Sequence, residues 1–143
     1  MSVIQPRLPS GYTFFCDDIR FEMSGKVSLI GIYSAVMFVK EFPTILPQLW
    51  ASIYFLQSPN ETRPLSLRLL LEVNGEDRIL QEAKIEHPNS LPPVETEGFQ
   101  MAQMNLQLQM PHFQILEEGR LKVRAYLDDD EIRLGALDIK KAP

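Results

Sequence analysis

The fold class is decided by one stretch of the sequence, AQMNLQLQM at residues 102–110, in which apolar and polar side chains alternate without a break. Successive side chains of a β-strand point to opposite faces of the sheet, so this two-residue period predicts a strand with one buried and one solvated face. Antiparallel sheets commonly leave one face in water. The stretch therefore predicts an antiparallel strand with a row of uncharged amides on its outer face.

The same period recurs along most of the chain. Residues 65–73 form an apolar row that ends at Asn74-Gly75, a dipeptide that readily adopts the positive φ angles of a type I′ hairpin turn. In the last strand the parity slips by one position, which predicts a β-bulge near Gly135 or Ala136. We expect about eight strands in a two-sheet antiparallel β-sandwich, immunoglobulin-like or related. They cover residues 12–22, 26–39, 49–57, 65–73, 78–86, 99–110, 121–127 and 132–139.

Three stretches need separate interpretation. The segment GKVSLIGIYS, residues 25–34, is apolar on both faces and predicts a central core strand, in which Gly31 marks a β-bulge or the close approach of another backbone. Residues 42–47 contain two prolines, which lack the donor that a central strand needs, so we expect this stretch to cross between the sheets. Residues 87–98 are rich in proline and acid and predict an exposed connection.

Length and charge limit the classes of function. The 143 residues suit one domain, and we expect a single sandwich over residues 1–143 whose residues 1–10 are flexible or loosely docked. The net charge of -5 offers no basic field for nucleic acid. No run approaches the about 20 apolar residues that span a bilayer, no export signal is recognisable, and a single cysteine suits a reducing compartment. We therefore expect a cytoplasmic protein without a membrane partner.

Residue types that carry chemistry are few. Cys16 precedes Asp17 and Asp18, but His87 and His112 are remote in the sequence, so we expect a buried, inert thiol rather than a nucleophile. We expect the two carboxylates to bind nearby side chains or backbone donors as structural groups. No paired zinc-ligand spacing and no catalytic sequence motif is present. The sequence therefore predicts no enzyme activity, no metal and no cofactor.

A cation site in the acidic loops is the alternative that the residues leave open. Asp17, Asp18 and the turn formed by Asp128, Asp129 and Asp130 offer the oxygen ligands that Ca²⁺ prefers. The layout is similar to that of a C2 domain, although the C2 pattern of aspartate pairs in two loops is absent. If these residues converge, the chain is a ligand- or calcium-binding sandwich or a weak hydrolase; otherwise the aspartates form a solvated turn.

The polar side of the opening stretch predicts an interaction surface. Its uncharged hydrogen-bonding groups do not repel a second sheet, which suits a subunit interface or a protein partner, and a solvated sheet face is the alternative. Trp50 and Tyr54 share one face of another strand, which is either core or a buried dimer contact. We expect a non-enzymatic protein that acts through protein–protein interaction or self-association, a homodimer included. The predicted surface, called the amide row below, consists of Gln103, Asn105, Gln107 and Gln109.

A block near the N-terminus resembles a known group of proteins. It comprises a Cys-Asp-x-x-Arg segment at residues 16–20 and a GK-x-SLIG-hydrophobic-aromatic segment at residues 25–33. The likeness continues in Phe42-Pro43, in Leu46-Pro47 and in a Gly-x-hydrophobic-x-hydrophobic segment at residues 119–123. In these features the chain is similar to a family of small uncharacterised bacterial proteins. The resemblance implies an immunoglobulin-like or related β-sandwich and carries no assigned activity, cofactor or catalytic residue.

Overall fold

The computed structural model describes residues 7–86 and 93–143, and most of these residues lie in β-strands. The all-β prediction is confirmed, with ten strands where the sequence predicts about eight. A short 3-10 turn, Met23–Gly25, joins the first two strands. Residues 1–6 of the N-terminal segment lie outside the described residues, and Ser10 already pairs with Leu56. In chain order the strands are β1 (Ser10–Phe21), β2 (Val27–Tyr33), β3 (Val36–Val39), β4 (Thr44–Gln57), β5 (Leu65–Val73), β6 (Glu76–Ile85), β7 (Pro93–Thr96), β8 (Phe99–Ile115), β9 (Gly119–Leu127) and β10 (Asp130–Lys141).

The strands form two five-stranded sheets that pack face to face. Sheet A has the order β2-β1-β4-β8-β7 and sheet B the order β3-β10-β9-β5-β6. Neighbouring strands are antiparallel except β3, which runs parallel to β10. Without β2 and β3, the orders β1-β4-β8-β7 and β10-β9-β5-β6 correspond to the A-B-E-D and G-F-C-C′ sheets of an immunoglobulin-type sandwich. The topology thus agrees with the expected immunoglobulin-like class.

Two local predictions about turns are confirmed. Asn74 and Gly75 have φ angles of 53° and 80° and connect Val73 to its partner Glu76, as a two-residue hairpin requires. The β9–β10 register shifts between Arg133 and Ala136, where Gly135 has a φ of 123°. The hairpin turn at Asn74-Gly75 and the β-bulge at Gly135 therefore set the register of the β5–β6 and β9–β10 pairs.

The core lies between the sheets and contains the predicted apolar rows. Phe55 and Leu49 of β4 are fully buried, as are Leu69 of β5 and Leu121 of β9. In the opening stretch the apolar side chains are buried or packed against the core, whereas Asn105 and its polar neighbours lie on the outer side. The alternation that predicts the fold is therefore an alternation between core and surface.

The segment predicted as one core strand over residues 26–39 is two strands in different sheets. β2 is the edge strand of sheet A, and the chain crosses after Tyr33 to form β3 in sheet B. Ile30 is 39% exposed and Ile32 is 51% exposed. The prediction of a central core strand for residues 25–34 is wrong, because one apolar face of β2 points away from sheet B.

The two irregular stretches differ from their predictions in part. Residues 40–43 cross from sheet B to sheet A as expected, but residues 44–47 already belong to β4. The ladder with β8 passes over Pro47, and the ladder with β1 starts only at Trp50. Proline is tolerated there because this end of β4 has a strand on one side only.

The stretch predicted as an exposed connection over residues 87–98 is partly a strand. Residues 87–92, His87 among them, lie outside the described residues. Pro93–Thr96 form β7, which pairs with Phe99–Ala102 of β8 across Glu97 and Gly98. Among residues 93–98 all but Val94 are exposed, as predicted, but Pro93–Thr96 form an edge strand of sheet A.

Candidate functional site

The outer faces of the two sheets differ sharply in charge. On sheet B, Lys and Arg side chains pair with carboxylates of other strands, and Arg68 also lies 4.7 Å from the centre of the Tyr126 ring. The remaining ion pairs between described residues lie on the same sheet or around Arg63, and none of them is on the outer face of sheet A. The closest cross-strand pairs of sheet B are Arg68–Glu82 (2.5 Å), Arg120–Asp138 (2.6 Å) and Lys122–Asp77 (2.8 Å).

Sheet A presents large apolar and aromatic side chains on its outer face instead. Cross-strand pairing places them on one side of the sheet, because Tyr12 is opposite Tyr54 and Cys16 is opposite both Trp50 and Ile32. The Tyr12 and Tyr54 rings stack with centres 4.9 Å apart, and Phe14 meets Tyr12 edge-on at 5.5 Å. Tyr12 is 48% exposed and Phe14 is 39% exposed. We call this surface the aromatic face; it consists of Tyr12, Phe14, Ile30, Ile32, Trp50 and Tyr54.

The amide row lies directly beside the aromatic face. Asn105 is opposite Tyr54 and Gln109 is opposite Trp50 in the β4–β8 ladder. Gln109 Nε2 donates to Gln48 Oε1 at 3.0 Å, and Gln48 Nε2 donates to Asp18 Oδ1 at 3.1 Å. The row is thus joined by a hydrogen-bonded bridge through β4 to β1. Together the two groups make one surface that is largely free of charge.

Buried polar atoms without a partner lie beneath this surface. Ser52 is fully buried between the strands and sits opposite Gln107. Ser52 Oγ, Gln107 Oε1 and Trp50 Nε1 form no hydrogen bond with the described residues. An unsatisfied buried polar group costs about 1–3 kcal/mol.

Cys16 is buried as predicted. Its side chain is fully shielded from solvent, and burial raises the pKa of the thiol. A protonated, inaccessible thiol is a poor nucleophile and a poor metal ligand. Cys16 therefore contributes packing between β1, β2 and β4 rather than reactivity.

The two aspartates that follow Cys16 bind neutral donors in the sandwich. Asp17 Oδ1 accepts a hydrogen bond from the Tyr33 hydroxyl at 2.6 Å. Asp18 Oδ1 accepts from the Ile19 backbone N–H at 2.9 Å as well as from Gln48. The prediction that these carboxylates act as structural groups is consistent with this arrangement. Their side chains point to opposite faces of β1, as consecutive residues of a strand do.

The acidic turn lies apart from these aspartates. Asp128 and Asp129 form the exposed β9–β10 turn, and Asp130 pairs with Arg63 at 2.7 Å. This turn follows Leu127, which is opposite Leu65 at one end of the sandwich, whereas Asp17 and Asp18 occupy the far half of β1. Within residues 7–86 and 93–143 no group of three or more His, Cys, Asp or Glu side chains could hold a metal ion. The structure does not bring the predicted ligands together.

A family model matches residues 11–140, which extend from β1 almost to the end of β10. The chain belongs to DUF6941. DUF6941 is a family of unknown function, so membership in it assigns no activity to the chain. The matched region contains the aromatic face, the amide row and the whole Cys16-to-Tyr33 block of this DUF6941 chain.

Two further findings accompany the family match. No curated protein matches the sequence. In the part of the chain that the structure describes, no helix is long and apolar enough to cross a membrane.

Tyr33 provides a pH prediction for the β1–β2 pair. Burial, with the hydrogen bond to Asp17 adding to it, raises the pKa of Tyr33 from 10.0 to about 12. Folding thus favours the neutral phenol, and its stabilising effect is present below pH 10 and is lost as the pH rises through about 12. We expect Asp17→Asn to lower the pKa of Tyr33, because the charged acceptor is lost while burial remains.

The measurement is an ultraviolet titration of tyrosinate absorbance. The part of the absorbance change that occurs at the highest pH is assigned to Tyr33 if it disappears in a Tyr33→Phe variant. In the Asp17→Asn variant the same part should move to lower pH. A titration curve that Asp17→Asn leaves unchanged would show that the Asp17–Tyr33 bond does not affect this hydroxyl.

Proposed function

We propose that this protein is a non-catalytic interaction module that binds a protein surface through the aromatic face and the amide row of sheet A. A second copy of the chain is the first partner to test. The observation that supports the proposal is the contrast between the two outer faces. One face carries cross-strand ion pairs, and the other carries partly exposed rings beside uncharged amides.

This contrast has a physical reason to mark an interface. A charge that is covered by a partner loses its hydration, so the centres of interfaces are depleted of charged residues and enriched in Tyr, Trp and Phe. Contiguous exposed apolar patches on a soluble domain commonly mark sites of interaction. The stacked Tyr12–Tyr54 pair is already ordered, so little side-chain entropy is lost when it docks.

The flat face suits docking better than the edges of sheet A. β7 has only four residues, and β2 is interrupted by Gly31 at a φ of 70°. Short and irregular edge strands discourage pairing with a strand of another chain. A partner is therefore expected to cover the face of the sheet rather than to extend it.

The cellular setting is part of the same proposal. We infer that the protein acts in the bacterial cytoplasm, which its single buried cysteine and its resemblance to small bacterial proteins support. The net charge of -5 disfavours nucleic acid as the partner. The Cys-Asp-x-x-Arg and GK-x-SLIG segments are then the family signature, and they form the β1–β2 ladder, in which Asp18 is opposite Ile30.

The test compares two lysine substitutions at equally exposed positions. Ile32 on the aromatic face and Ile79 on the outer face of sheet B are both 51% exposed. We expect wild type and Ile79→Lys to self-associate in sedimentation and light-scattering measurements, and Ile32→Lys to weaken association at least tenfold because a buried charge is costly. Circular dichroism and thermal unfolding verify that both variants fold.

Three results would count against this function. The first is equal association of the two lysine variants. The second is a wild-type chain that is monomeric at all concentrations and whose retained partners from cell extract are the same as those of Ile32→Lys. The third is a large thermal shift with Ca²⁺ that EDTA reverses, which would instead favour a cation site in the acidic loops.

A further inference from the structure

The flank of the sandwich between β6 and β8 contains a cleft, next to a hydrogen bond of 2.7 Å that Gln81 Nε2 donates across the flank to the Gln109 backbone oxygen. β7 covers β8 only along Phe99–Ala102, so no described strand closes the flank beside the C-terminal half of β8. Two adjoining cavities of about 510 Å³ and about 370 Å³ lie there, and both are lined by Arg78, Phe113 and Gln114. We call the two cavities together the flank cleft. The volume of each falls in the range of small-molecule sites.

The floor of the flank cleft is apolar. In the larger cavity it consists of side chains that also border the core, namely Leu71, Phe113, Ile115 and Ile139. In the smaller cavity Leu80 and Met110 continue it. A ligand lying on this floor would remove apolar surface from water, which supplies the main driving force for binding.

Arg78 gives the cleft a charge at its centre. It is opposite Leu71 in the β5–β6 ladder, so its side chain starts from the inner side of the edge strand rather than from the solvated side. Arg78 takes part in none of the ion pairs between described residues. A planar guanidinium that no described carboxylate engages can bind a ligand carboxylate in a two-bond arrangement.

The acidic residues of the cleft lie at one end only. Glu76 and Glu117 line the larger cavity, whereas the lining of the smaller cavity includes His112 and no carboxylate. Glu76 is two strand residues from Arg78 along β6, a span of about 7 Å. A ligand with its anionic group at Arg78 can lay an uncharged chain on the apolar floor, and a second negative charge near Glu76 and Glu117 would be repelled.

We propose that the flank cleft binds a linear amphipathic monocarboxylate from solution, with the carboxylate at Arg78 and the hydrocarbon chain on the apolar floor. This site is independent of the function proposed above, because the cleft opens on the flank and the aromatic face lies on the outer side of sheet A. The Ile32→Lys variant should therefore bind the same ligand as well as wild type. Failure of one proposal leaves the other intact.

The test is calorimetric titration of the full chain with decanoate below its micelle concentration. Decan-1-ol and decyltrimethylammonium serve as neutral and cationic probes of the same chain length, and butanoate serves as a short anion. We expect saturable one-to-one binding of decanoate, at least tenfold tighter than that of the other three probes. Arg78→Gln should weaken decanoate binding at least tenfold, because charge-assisted hydrogen bonds are lost.

Two matched variants sharpen the result. Arg133→Gln removes an exposed arginine outside the cleft and should leave decanoate affinity unchanged, whereas Glu76→Gln should strengthen it modestly. The proposal is overturned if decanoate gives no saturable binding, if the three ten-carbon probes bind alike, or if Arg78→Gln binds like wild type. If Arg78→Gln binds decanoate as wild type does but self-associates through the edge strand β6, Arg78 prevents pairing of that edge strand with another chain. That result also overturns the proposal.

Discussion

Replacement of Gly11 by alanine is expected to lower the free energy of unfolding by about 3 kcal/mol, although it adds a single methyl group. Gly11 lies in β1 opposite Phe55 of β4. An added Cβ would overlap the backbone oxygen of Tyr54 and lie 2.9 Å from Leu134 Cδ2 and 3.2 Å from Phe55 Cα. Because Phe55 and Leu134 are buried in the core, neither the strand backbone nor the packing between the sheets can yield easily.

Equilibrium unfolding in urea measures this effect, and Gly25→Ala is the control. Gly25 has a φ of 84° and no atom within 4 Å of the position of an added Cβ. The only cost of alanine at this site is therefore the left-handed backbone conformation, which lowers the free energy of unfolding by about 1 kcal/mol. If the two variants lost the same stability, the close contact between β1, β4 and Leu134 would not limit the size of residue 11.

The sandwich was predictable because its signals are local. The alternation in residues 102–110 is a property of consecutive side chains, and it appears in the structure as buried Met104 and Met110 beside exposed Asn105 and Gln109. The Asn74-Gly75 turn and the bulge at Gly135 depend on backbone preferences of one or two residues. Such features need no knowledge of distant parts of the chain.

Strand placement was harder to predict because it depends on distant partners. β2 is apolar on both faces, and this pattern is the same for a strand between two layers and for an edge strand with an exposed apolar face. Ile30 and Ile32 belong to the second case. The chain crosses to the other sheet between Tyr33 and β3, but Ser34 and Ala35 do not include the Gly, Pro, Asn or Asp that usually indicates a turn.

Only one of the two parts of the candidate site, the amide row, can be predicted from the sequence. The amide row followed from parity within a single strand. The aromatic face did not, because it assembles β1, β2 and β4, and only the strand order shows that Tyr12, Ile32 and Tyr54 share a surface. A signal was available in Phe14 and Cys16, which share a face of β1, and in the doubly apolar β2. Likewise, only topology shows that Asp17 and Asp128 belong to different regions.

The second large effect on stability is expected at Gly31, in the segment whose prediction as a central core strand is wrong. Gly31 has a φ of 70°, and an added Cβ would overlap Asp17 Oδ2 and lie 2.9 Å from Asp17 Cγ. We expect Gly31→Ala to lower the free energy of unfolding by about 2 kcal/mol, through the left-handed conformation and the displacement of Asp17. The sequence predicts a close approach at Gly31, but it is made by a side chain rather than by a backbone.

A double-mutant cycle separates the two contributions. In an Asp17→Ala background the displaced carboxylate is absent, so Gly31→Ala should retain only the conformational part, about 1 kcal/mol. The Gly31→Ala variant should also lower the pKa of Tyr33, as Asp17→Asn does, because Asp17 can no longer reach the hydroxyl. If the pKa of Tyr33 stays at about 12 and the loss of stability is the same in both backgrounds, Gly31 is needed for its backbone angle alone. In that case the contact between Asp17 and Gly31 does not hold the edge of sheet A in place.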